Sequence, residues 1–130
     1  MTYEAEEQAI QSRFYSNFTG ISIKYDNVDF TPTPDQYWAE IEVHDGQQLP
    51  ISVADTVLYR NVGIISINVY GPLNAGTQTL KGYADDAAAI FRGQTFSNIL
   101  CRGATVTRLG EIDGWFVYNV SIAFQRDELF

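Results

Sequence analysis

Gly114-Trp115-Phe116-Val117-Tyr118-Asn119-Val120-Ser121-Ile122-Ala123-Phe124-Gln125-Arg126 is the stretch that decides how this chain folds. Phe116, Tyr118, Val120, Ile122 and Phe124 alternate with Trp115, Val117, Asn119, Ser121 and Ala123, a period of two that places successive side chains on opposite faces of a long strand. One face is uniformly large and apolar and belongs over a core. The other begins with Trp115 and Val117 before turning polar, so its first half needs cover too.

Working back from this strand, Gly110-Glu111-Ile112-Asp113-Gly114 reads as a turn, preceded by strands at Ile99 to Arg102 and Ala104 to Leu109. Leu80, Ala84, Ala87 and Phe91, flanked by Tyr83, Ala88 and Ile90, form the apolar stripe of a helix that Gly93 ends. Val62 to Tyr70 is a strand broken by Gly71-Pro72-Leu73-Asn74-Ala75-Gly76. Leu49 to Arg60 is extended in character but alternates poorly. In Tyr37 to Val43, Ala39, Ile41 and Val43 face inward while Trp38, Glu40, Glu42 and then His44 face water, and Asp45-Gly46 follows as a turn signal. Asp26 to Asp35 is rich in turn formers and prolines and reads as a loop; Ile21 to Tyr25 before it is a strand. The first helix runs from about Tyr3 to Phe18, capped by Thr2, with Glu4, Glu6 and Glu7 at the positive end of its dipole and Ile10, Phe14 and Phe18 as its stripe.

The order is helix, four strands, helix, three strands. Strands joined in runs by tight turns, rather than alternating singly with helices, predict an α+β fold: a mostly antiparallel sheet with both helices packed on one face. Residues 1–130 form one domain in this reading, a length able to bury roughly two-thirds of the unfolded chain's surface. The segment Leu49 to Leu58 carries Ile51, Val53 and Val57 without an evident core partner. It reads either as an extended β-hairpin arm reaching a neighbouring subunit or as a hairpin folded on its own sheet.

Composition narrows the function. At 45% hydrophobic residues the chain is an ordinary folded protein without a membrane-length apolar window. Acids in the first seven residues do not fit a secretory leader, and a lone Cys101 excludes an intramolecular disulfide, so a reducing compartment is expected. Sixteen acidic against eight basic residues, a net charge of −8, argue against a surface that neutralises nucleic-acid phosphates.

Chemical motifs are sparse. Gly71 to Gly76 lies between strand and helix, where a phosphate loop would lie, but Thr77 and Gln78 follow in place of the phosphate-binding lysine, so it reads as a plain connection. Glu40 and Glu42, beside His44, share a strand face about 7 Å apart, a spacing open to a divalent ion or an acid/base pair but equally that of a solvated face. His44 has no Ser, Cys or second ligand to make a triad or zinc site. Cys101 reads as a small buried apolar group, Asp85 and Asp86 as solubility residues, and Arg92 as a charge at a helix's negative end. No catalytic, cofactor or metal site is predicted.

Several pieces, in order and spacing, resemble one family over about Asp26 to Glu128: Asn27-Val28-Asp29-Phe30-Thr31-Pro32, Trp38 opening a strand, Leu58-Tyr59-Arg60 followed by Gly63, Gly76 before the second helix, Ala88-Ala89-Ile90-Phe91-Arg92-Gly93, and Gly114-Trp115 leading to Val120-Ser121-Ile122-Ala123-Phe124-Gln125-Arg126-Asp127-Glu128. The chain resembles the phage tail terminator-like proteins of long-tailed phages. That resemblance implies a non-enzymatic virion protein, made in the bacterial host cytoplasm, that assembles with itself as a ring of six on the head-proximal end of the tail tube. Its implied partners are the tail tube protein and a head-completion or neck protein, with DNA as passing cargo only and no membrane. A related head-tail adaptor or tube subunit, or a monomeric ligand-binding domain, are the alternatives. Leu49, Ile51, Val53, Val57, Leu58 and Arg60 are then the candidate subunit-interface arm, and Glu40 and Glu42 a candidate acidic channel or rim face. The resemblance is weakest over Gln47 to Thr56, and Glu40 and Glu42 stand where relatives often carry basic or neutral residues. Six copies would carry a charge of about −48, and any share facing a channel would repel DNA over a screening length of about 8 Å.

Overall fold

A computed structural model describes residues 2–52 and 57–129. The elements run α1 (Tyr3–Asn17), β1 (Ser22–Tyr25), β2 (Trp38–Pro50), β3 (Leu58–Pro72), α2 (Gln78–Phe91), β4 (Thr95–Phe96), β5 (Ile99–Ile112) and β6 (Trp115–Leu129). One sheet holds all six strands in the order β1-β2-β3-β6-β5-β4. Every pairing is antiparallel except that of β1 with β2.

The alternation of β6 is realised as its sequence demands. Tyr118, Val120, Ile122 and Phe124 join Ile65, Ile67 and Val69 of β3 and Ala39 and Ile41 of β2 on one face, against Ile10, Phe14 and Phe18 from α1 and Leu80, Ala84, Ala87 and Phe91 from α2. Each fully buried large side chain here contributes roughly 1.5–3 kcal/mol. Thr2 Oγ1 accepts from the Ala5 N–H at 3.1 Å and starts α1. Phe14 holds the two helices together, its ring 4.6 Å from that of Phe18 and 6.2 Å from that of Phe91.

The opposite face gains its cover from its own aromatic side chains. Trp38 stacks flat on Tyr70 with centroids 3.8 Å apart, Trp115 meets Trp38 edge-on at 5.8 Å, and Phe30 folds over Trp38 from the loop at 5.2 Å. Val117 is wholly buried beneath this side of the sheet.

Three sequence readings change. Asp45-Gly46 is not a turn but part of a bulge, with the β2–β3 register shifting between Asp45 and Gln48, so β2 continues to Pro50. Three strands, not four, therefore separate the helices, because Leu58–Arg60 is the start of β3 rather than a separate segment. Ile99 to Leu109 is likewise one strand, bent by bulges between Cys101 and Ala104 and between Arg108 and Gly110 and extended to Ile112. The remaining turn closes on two residues: Ile112 pairs with Trp115, and Asp113 (φ 51°) and Gly114 (φ 83°) both take the left-handed conformation that suits the twist of a tight hairpin.

Candidate assembly surfaces

The arm residues fall in two places. Leu49 lies at the exposed end of β2 and Ile51 just beyond it, 44% and 40% exposed. Leu58 and Arg60 belong to the body of the sheet, since β6 runs beside β3 as far as the Leu58–Leu129 pair and Arg60 donates to Asp127 at 2.9 Å. Val57 is half-buried at the foot of the hairpin, and Val53 lies outside the described residues. An extended hairpin arm is not seen among the described residues.

Glu40 and Glu42 occupy the sheet face away from the helices, as their alternation requires. Glu40 is not a free charge: Lys24 from β1 sits 3.0 Å from one oxygen, and Tyr70 and Asn68 donate to the other at 3.4 Å. The Glu40 carboxylate in turn holds the Lys24 ammonium's pKa above its ordinary value, while burial, helped by Glu40, pushes the Tyr70 phenol up to about 12. Asn119 continues this polar row by donating to Asn68 and Ser66 at 2.8 and 3.0 Å. Glu42 is the more open of the two acids and lies 3.0 Å from His44. The result is a ladder of paired polar groups across four strands, with the aromatic cluster at one end.

The strand-to-helix connection after β3 lines an open hollow of about 490 Å³ with Pro72, Leu73, Asn74, Gly76, Thr77, Glu111 and Phe116. Glu111 gives that lining a negative charge, which opposes a phosphate. Cys101 is buried on the helix side, and burial pushes its thiol up to about 11, the opposite of what a nucleophile needs.

A buried ionic cluster escaped the sequence reading. Arg126, on the inward face of β6, is 1% exposed and donates to Glu6 of α1 at 2.7 Å and to Glu128 at 2.8 Å. Its guanidinium also lies 4.9 Å from the centre of the Tyr3 ring. Burial and then Asp45 push the Glu6 carboxyl up to about 7, outweighing Arg126. Glu6 Oε2 has no donor facing it when ionised; a proton on that oxygen, donated to the neighbouring Asp45 carboxylate, satisfies it. Partners 120 positions apart leave no local pattern to read.

Both margins of the sheet are partly bare among the described residues. β1 covers Trp38 to Ile41 of β2 and nothing of β2 beyond. β4 and the residues before it cover β5 only as far as Arg102. Val106, Leu109 and Ile112 on the uncovered part of β5 are 36%, 45% and 38% exposed.

The family model described as phage tail terminator protein matches residues 7–123. The chain belongs to the phage tail terminator family. A terminator-family protein is a structural component of the phage tail. No curated protein matches the chain. A solved structure superposes over 97% of this terminator chain and 96% of its own, with a TM-score of 0.70 at 17% identity, which shows a shared fold.

Proposed function

We infer that this protein is the subunit of a ring, six-membered, that sits on the head-proximal end of the tail tube, stops its polymerisation and offers the joining surface to a head-completion or neck protein. Membership of the terminator family over nearly the whole chain is the observation that carries this reading. The open sheet supports it, since a subunit with two unpaired margins has the two different surfaces that a head-to-tail ring consumes. DNA is cargo here. The net charge of −8 disfavours its retention, although Lys24 already neutralises Glu40 and leaves Glu42 as the freer acid on that face.

Tube growth tests the reading. Tail tube protein polymerised on a fixed initiator should reach a limited length when this protein is added and overgrow without it. Incorporation along the tube would make it a tube subunit instead, and unchanged lengths at saturating protein would remove the terminator role.

A further inference from the structure

The two bare margins are complementary in position, direction, face and charge. β2 is open from Glu42 to Pro50 and β5 from Gly103 to Ile112, runs of almost equal length. β2 and β5 point in opposite directions within one chain, because three successive antiparallel steps separate them. Rotation about a ring axis preserves strand direction relative to the seam, so β5 of one copy meets β2 of the next antiparallel, with the helices of both on the same side. The obstacles then fall clear of the contact. β1 guards the first residues of β2, which lie beyond the Asp113-Gly114 turn of the neighbour; β4 guards the first residues of β5, which lie beyond the neighbour's Pro50.

We propose that the free edge of β5 in one copy pairs antiparallel with the free half of β2 in a second copy, joining the subunits into one continuous sheet. The proposal rests on the ring reading above and says which surfaces make the ring. Charge favours the match. On the helix face of the β2 margin Asp45 is exposed, whereas the same face of the β5 margin carries Arg108, exposed and lying over the Phe116 ring at 5.1 Å. Val106, Leu109 and Ile112 leave apolar area exposed along the β5 margin. A ten-residue edge this apolar is an aggregation hazard unless a partner strand covers it, and a second copy covers it with matching geometry.

Arg108→Glu and Asp45→Arg, each at an exposed position, test the seam by charge reversal, with thermal unfolding as the check that each variant folds. Sedimentation and native mass spectrometry of the wild type should give a closed ring or a concentration-dependent monomer-to-ring equilibrium. Each variant alone should weaken that association at least about tenfold. Mixed in equal amounts they should recover it, because every seam of an alternating ring then pairs Arg with an acid. Wild-type protein that stays monomeric at high concentration, alone and with tail tubes present, would overturn the ring reading and this proposal together. Wild-type association that neither variant weakens, or that mixing fails to restore, would overturn the seam alone and leave the ring standing.

Discussion

Replacing Glu6 by Gln isolates the proton held beneath α1. The folded chain keeps that proton up to about pH 7, whereas the unfolded chain releases it near the ordinary value of 4.5. Between those two values the folded state holds the extra proton, so this group's contribution to stability falls as pH rises and is fully lost above 7. A displacement of that size corresponds to about 3 kcal/mol, the free energy of ionising a carboxyl that is buried and whose second oxygen faces Asp45 rather than a donor. Gln has the same shape, accepts from the Arg126 Nε–H through its carbonyl and donates to Asp45 through its amide at every pH. Urea unfolding of both proteins at pH 5 and pH 8 measures the difference. The variant should match the wild type within about 1 kcal/mol at pH 5 and exceed it by about 2–3 kcal/mol at pH 8. Parallel pH profiles for the two proteins would refute the shared-proton account, and a variant less stable at pH 8 would show that the ionised carboxylate pairs favourably with Arg126.

Three further outcomes follow from packing and burial. Phe14→Ala removes the ring that joins α1 to α2 at a wholly buried site and should cost about 3–5 kcal/mol in urea unfolding, a loss under 1 kcal/mol counting against its central place. Gly63→Ala would place a Cβ 2.6 Å from the Phe124 ring and 2.8 Å from the His44 carbonyl oxygen, so it should destabilise by about 1–3 kcal/mol; a neutral result would mean that this close approach is relaxed in solution. Cys101, buried and with its thiol pushed up to about 11, should resist a thiol reagent at pH 8 until the protein is unfolded, and rapid labelling of the native protein would contradict its burial.

Much of the layout is legible because periodicity reports which face of an element is buried. β6 and the stripes of α1 and α2 each carry that signal over several turns or repeats, and their inward residues are the ones found in the core. Bulges are harder, since they are defined by the partner strand. Asp45-Gly46 and Gly103 look like stops when read along one chain, yet β3 and β6 continue past them and hold β2 and β5 in the sheet. Charge is harder again. Glu40 looks like a free acid on a wet face until β1 brings Lys24 and β3 brings Tyr70, and Glu6 looks like a helix-start acid until the fold sets it on Arg126. The margins of the sheet are invisible to sequence patterning for the same reason: only strand order tells which edges stay unpaired.

The most direct measurement is an image of tails assembled with this protein carrying a visible label. A six-fold ring of label at one end of each tube, the end that joins heads, is the predicted result. Label spread along the tube, or tubes of regulated length that carry none, would contradict it.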